Sequence, residues 1–481
     1  MTPLIVTLFV VGYFVLLLLI SYFTGKSSDK SSFYLGNRKA PWPLVAFGMI
    51  GASLSGVTFI SIPGVVGKVG ALNEQFSYMQ VVFGYLVGYV VIATVLLPLY
   101  YRLKLTSIYG YLLERLGFYS YKTGAAYFLL SRVIGASFRL FLVATVLQLA
   151  VFDAFNIPFY LTVLVTIGLI WVYTFKNGIK TIIYTDTLQT LFMLLAVVFT
   201  IFFIGKELNW SIGEIVSNVQ DSSYSKMFYW DPQSPNYFFK QFFSGMFICI
   251  VMTGLDQDMM QKNLACPSIS DAQKNMFSFS IVLVFVNLLF LGLGALLYLY
   301  ANQLGIEIPT KTDQLYPLLA LKHFSPVIGG LFVVGLIAAA YSSADSALTA
   351  LTTSFCIDIL GFERVGENVK LRTWVHVGFS GVLFLVILLF NQLNDGAIIT
   401  ELFKVAGYTY GPLLGMFAFG LFSKRKVLDK WVPVVCIISP IICYFINANS
   451  VELLGGYKFG FEILILNGFL TFVGIWGVSR K

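Results

Sequence analysis

Ser342, Asp345, Ser346 and Thr349 interrupt a long apolar run, VIGGLFVVGLIAAAYSSADSALTALTTSFCIDIL, which follows Pro326. Their spacing, i, i+3, i+4 and i+7, puts them on one face of a helix. A carboxylate at membrane depth costs about 2.5–3.5 kcal/mol on insertion scales, and a chain tolerates it where the group faces a partner, water or an ion. A ligand set made only of oxygens suits a hard cation such as Na⁺, by extension from the oxygen-rich sites of Ca²⁺ and Mg²⁺. Hydroxyls alone also serve as packing contacts between membrane helices. Asp345 on the same stripe turns the reading towards an ion or substrate path.

Such a stripe must be held at depth by other spans, and the chain supplies them. Of 481 residues, 58% are hydrophobic and 11% charged, and the mean hydropathy is +0.83. No soluble core needs so much apolar sequence. Thirteen windows are long enough to cross a bilayer as helices: 3–23, 43–67, 76–101, 121–151, 158–175, 178–205, 237–256, 275–301, 326–359, 373–391, 397–422, 431–447 and 459–478. The longest polar connection, 206–236, is too short for a soluble domain, so residues 1–481 read as one all-α polytopic transport domain. The first span lacks a basic leader and is longer than a signal core, so it is expected to stay in place. With the N-terminus outside, the inside loops hold 21 Lys and Arg and the outside loops seven; Arg132, Arg139 and Lys404 fall within spans. That bias predicts N-terminus out and C-terminus in. The net charge of +8 is therefore topology. Spread over loops, it makes no nucleic-acid-binding stripe.

Cys249, Cys266, Cys356, Cys436 and Cys443 avoid the outside loops, so no disulfide framework is expected. His323 and His376 are far apart, which argues against a transition-metal site. There is no P-loop, GxSxG or HExxH, and hence no sign of an enzyme or of built-in ATP coupling.

The second span, PLVAFGMIGASLSGVTFISIPGVVG, carries Gly51, Ser53, Ser55, Gly56 and Pro63, which weaken a continuous helix. Unwound backbone there would free carbonyls for a cation and amides for an anion; close packing through small residues is the alternative. The seventh span holds Gly245, Thr253, Gly254 and Asp256. Two irregular spans five apart suit a five-plus-five inverted repeat. Arg139 lies mid-span and must pair, snorkel or meet an anionic solute. Asp186 lies near the inner end of the sixth span, where a structural role is the alternative. The GxxxG pairs at Gly84–Gly88 and Gly411–Gly415 read as packing contacts.

Three stretches, NGIKTIIYTDTLQT (177–190), AAAYSSADSALTALTTSFCIDI (338–359) and GASLSGVTFISIPG (51–64), make the chain resemble the sodium:solute symporter family, whose members carry sugars, amino acids, carboxylates and iodide. The resemblance runs over the whole length. It implies a leucine-transporter-like fold, with a repeat core at about 43–422, an extra N-terminal helix at 3–23 and C-terminal helices at 431–447 and 459–478. It implies a sodium ion held by Gly51, Leu54, Ala339, Ser342 and Ser343, and in some members a second ion at Asp186, Ser342, Asp345 and Ser346. Asp345 stands where some members have Ser.

Within the family the pattern is similar to bacterial sialic acid symporters. That similarity implies a carboxylate on Ser55 and Thr58, with Phe76, Gln80, Arg139 and Phe247 completing the solute site. No acid occurs from 43 to 67, and an acid there would suit an amine-bearing solute. Its absence and Arg139 suit an organic anion. The expected activity is sodium-coupled import of a small solute, with sialic acid as the leading candidate, across a bacterial inner membrane. The protein is expected to need no organic cofactor and to work as a monomer. The alternatives are a neutral sugar, inositol, a monocarboxylate or an amino acid as solute, proton coupling, or a channel or sensor on the same scaffold.

Overall fold

Backbone groups at membrane depth find no water, so so apolar a chain must satisfy them within helices. The computed structural model describes residues 3–24, 35–68, 70–174, 178–362, 366, 368–393 and 398–480. Asn177 and most of the first inside loop lie outside them.

The long helices are α1 (Pro3–Thr24), α2 (Trp42–Ser53), α3 (Gly56–Val65), α4 (Tyr78–Arg102), α5 (Phe118–Leu147), α6 (Phe159–Thr174), α7 (Gly178–Glu207) and α8 (Phe238–Gly254). They continue with α9 (Gln257–Leu264), α10 (Ile269–Gln303), α11 (Pro326–Ser354), α12 (Val369–Leu393), α13 (Ile398–Phe422), α14 (Val432–Ala448) and α15 (Ile463–Gly477). Among the described residues nine helices are long and apolar enough to cross a membrane, and two bent pairs bring that to eleven. The bent pairs are α2–α3, at 55°, and α8–α9, at 64°. The windows expected at 158–175 and 459–478 form shorter apolar helices, α6 with 16 residues and α15 with 15. At about 1.5 Å per residue α15 spans less than the roughly 30 Å of a hydrocarbon core. The 206–236 connection is not featureless: it contains a helix at Ile212–Asp221, opened by a capping box between Ser211 and Glu214.

The sequence places the break in the second span where the chain bends. Leu54 (φ −86°, ψ 76°) and Ser55 (φ −71°, ψ 175°) leave helical geometry between α2 and α3. Pro63 lies inside α3 and the bend lies before it, so the Gly/Ser-rich stretch rather than the proline marks the break. The second bend, after Gly254, is capped by Asp256, whose carboxylate accepts from the amides of Asp258 (3.0 Å) and Met259 (3.3 Å).

Helix α11 is the axis of the protein, with 89% of its apolar window buried, against 22% for the windows of α12 and α14. It packs against α7, α5, α3 and α2. Helices α4 and α8 touch backbone to backbone. A Cβ on Gly84 would stand 2.0 Å from the Phe242 carbonyl oxygen, and one on Gly245 would stand 2.1 Å from that of Val81. The Gly84–Gly88 motif is therefore a packing contact. Apart from helices, residues Lys426–Val427 pair antiparallel with Ser479–Arg480.

Candidate functional site

The break between α2 and α3 lies against the hydroxyl-bearing stretch of α11. Ser343 Oγ donates to the Ala52 carbonyl (3.3 Å) and back to Ala339 (3.4 Å). Gly51 N–H donates to Thr190 Oγ1 (3.0 Å), which itself donates to the Asp186 carbonyl (2.8 Å). Ser342 Oγ donates to Asp186 Oδ1 (2.8 Å). Gly51 must be glycine for this approach, because a Cβ would fall 2.2 Å from Thr190 Oγ1 and 3.4 Å from Ser342 Oγ. Of the expected group, Gly51 and Ser342 thus come close where α2, α7 and α11 meet, Ser343 bonds back to Ala339 one turn earlier on α11, and Leu54 stands at the break itself. The contact made by Ser343 at the break goes to the Ala52 carbonyl.

A chain of buried charges runs beside this group. Arg132 on α5 pairs with Asp258, and its Nη1 lies 3.7 Å from Asp256 Oδ2. Tyr410 Oη donates to the same Asp256 oxygen (2.6 Å). Lys262 Nζ lies 2.7 Å from Asp186 Oδ2 and 4.0 Å from Asp258 Oδ1. Ser346 Oγ donates to Asp258 Oδ2 (3.2 Å) and to the Ser342 carbonyl (2.9 Å). The backbone N–H of Ser346 donates to Asp345 Oδ1. Every ion-paired side chain here is at most 4% exposed.

Lys262 and Asp258 correct the sequence reading. Lys262 counted as an inside-loop charge because QDMMQKN is too polar to read as a span, yet the half-helix α9 buries it. Without it the inside loops hold 20 basic residues and the bias persists. The signal available in the sequence was Asp256, Asp258 and Lys262 clustered just past a glycine-ended apolar run.

The break also borders a small cavity of about 80 Å³ lined by Ser55, Thr58, Arg132 and Arg139, among others. Arg139 is 6% exposed, and its Nε and Nη1 have no hydrogen-bond partner among the described residues. Such a guanidinium, facing a cavity, is a ready site for a carboxylate. One wall carries Tyr78, Tyr85 and Tyr89, seven and four apart and so on one face of α4. The Tyr78 and Tyr85 hydroxyls are 3.0 Å apart. Among 46 Phe and 27 Tyr this spacing does not stand out in the sequence.

Three expected solute residues are not in the described lining: Phe76, Gln80 and Phe247. Gln80 is fully buried elsewhere. Its amide donates to the carbonyls of Asn236 (2.8 Å) and Ser77 (3.3 Å), and its oxygen accepts from Tyr229 N–H (3.2 Å). The loop before α8 therefore consumes its polar capacity. The Phe76 amide is bonded to the same loop, at Lys226, and Phe247 is half-buried on α8.

The sequence profile of the sodium:solute symporter family matches residues 33–427. The chain belongs to that family. The symporter is therefore a sodium-coupled transporter and not an enzyme, with Na⁺ as its coupling ion. It is 25% identical over 438 residues to the sodium/sialic acid symporter SiaT of Proteus mirabilis, covering 86% of this chain and 84% of that one. It is 23% identical over 467 residues to the sodium/sialic acid symporter NanT of Aliivibrio fischeri, covering 94% and 89%. In three dimensions it resembles a Na⁺-coupled sialic acid symporter solved in a substrate-bound outward-open state, with TM-score 0.81 at 19% identity and 99% of both chains covered. That likeness shows that the two share a fold.

Proposed function

We propose that this symporter imports a sialic acid or a closely related sugar acid together with Na⁺ across a bacterial inner membrane. The observation that carries the reading is the Arg139 guanidinium, buried in a cavity beside Ser55 and Thr58 with two nitrogens unbonded among the described residues. The names of the relatives SiaT and NanT point the same way. Na⁺ binds between the break and α11, on oxygens of Gly51, Leu54, Ala339, Ser342 and Ser343. The solute carboxylate docks on Ser55, Thr58 and Arg139. Gating then closes the cavity on one side and opens it on the other. Phe76, Gln80 and Phe247 enter this reading only if closure frees them from the contacts described above.

Counting each bent pair and each of α6 and α15 as one span gives thirteen, and the Lys and Arg bias puts the N-terminus outside. The bends fall in the second and seventh spans, which supports a five-plus-five inverted repeat within one 1–481 domain, working as a monomer in the lipid bilayer. A net charge moved through 100 mV supplies about 2.3 kcal/mol, or roughly fifty-fold accumulation at 1.4 kcal/mol per decade; a cycle that carries one Na⁺ with a monoanion moves no net charge and draws on the Na⁺ concentration gradient alone.

The test is a melting-temperature screen of the purified protein against organic acids and neutral sugars, with and without Na⁺. A bound ligand raises apparent stability by mass action. Stabilisation by sialic acids only when Na⁺ is present is expected. Stabilisation by neutral hexoses and not by sugar acids would refute the anion reading.

A further inference from the structure

Asp186, on α7, is where the family resemblance implies a second sodium ion, and both of its oxygens already have partners. Oδ1 accepts from Ser342 at 2.8 Å, and Oδ2 lies 2.7 Å from the Lys262 ammonium, with both side chains 1% exposed. The place of Lys262 is built by its surroundings. Its helix α9 is capped by Asp256, which Tyr410 and Arg132 hold. Asp258, one turn before Lys262, stands 4.0 Å from the ammonium and is fixed by Arg132 and Ser346. The ammonium thus has carboxylates of two helices around it.

A carboxylate at this depth requires a counter-charge. A lysine supplies the same single positive charge as Na⁺, but it is tethered to the chain and cannot cross the membrane. We infer that the Lys262 ammonium is a fixed substitute for a second sodium ion, so that this symporter binds and moves one Na⁺ per solute. The inference rests on the sodium site proposed above and deepens it. With a monoanionic solute, one Na⁺ makes the cycle electroneutral and insensitive to the membrane potential.

Equilibrium binding of radioactive sodium to the purified full-length protein tests this without any solute, so a wrong choice of solute leaves the count readable. The wild-type chain is expected to bind one ion. Lys262→Gln, which removes the charge and keeps a polar end, is expected to bind two. Lys262→Arg, which keeps the charge, is expected to bind one. Two ions on the wild-type chain overturn the inference, and so does a folded Lys262→Gln chain that binds only one. If Lys262→Gln does not fold, the wild-type count decides alone: one ion supports the inference and two overturn it. A wild-type chain that binds no sodium overturns the Gly51–Ser343 site itself, a result distinct from a count of two.

Discussion

Ser343, on the unbroken α11, donates a hydrogen bond to the carbonyl of Ala52, at the end of α2, across 3.3 Å. A continuous helix would use the Ala52 carbonyl four residues further on; the bend releases it to a side chain of another span. This contact ties the kink to the hydroxyl stripe, where the sodium site proposed above lies.

The first prediction follows from that gathering. Ser342→Ala combined with Ser343→Ala removes two of the five oxygens proposed above to hold Na⁺. The Na⁺ concentration for half-maximal uptake should rise by on the order of tenfold or more, since ligand number tunes the affinity of oxygen sites. An unchanged sodium titration would count against the site.

Arg139→Gln keeps the shape of the cavity rim and removes its charge. Hydrogen bonds to charged groups are worth about 1.5–3 kcal/mol, so affinity for an acidic sugar should fall roughly tenfold to a hundredfold. A neutral solute of similar size should be nearly unaffected. Equal losses for both, read in competition uptake, would make Arg139 structural.

Gly51→Ala places a methyl group 2.2 Å from Thr190 Oγ1. Overpacking of this kind costs about 1–3 kcal/mol, which a lowered melting temperature should report. Adding Thr190→Ala removes the obstructing hydroxyl and should recover part of the loss. No recovery would mean that the approach of α2 to α7 is set elsewhere.

Breaking the Arg132–Asp258 pair leaves a buried charge alone. Arg132→Met should cost about 3–5 kcal/mol, measured by denaturation in detergent. Arg132→Met with Asp258→Leu should cost less than Arg132→Met alone, because both charges leave together. A larger loss in the double variant would show that the pair does more than neutralise itself.

Much of this site could be read in the sequence because its rules are local. Gly51, Ser53, Ser55 and Gly56 crowd into one apolar window, and helix propensity alone locates a bend there. The hydroxyl stripe of α11 follows from helical periodicity. Lys262 could not be read that way. Its partner Asp186 is 76 positions away, and only the bend between α8 and α9 carries a polar heptapeptide into the interior. Gln80 is the converse case: nothing in its own segment shows that the backbone around Asn236 and Tyr229 will bond its amide. α15 is shorter than its apolar window because Phe459 and Phe461 lengthen the window before the residue at which the helix starts.

The backbone contact of α4 with α8 has a mechanical consequence. With the Phe242 and Val81 carbonyls pressed on Gly84 and Gly245, neither helix can roll or slide along the other without collision. Whatever rearrangement turns the tyrosine-lined wall of the cavity from one face of the bilayer to the other must carry these two rods together, as a welded pair. The give must then come from their looser borders with the remaining helices.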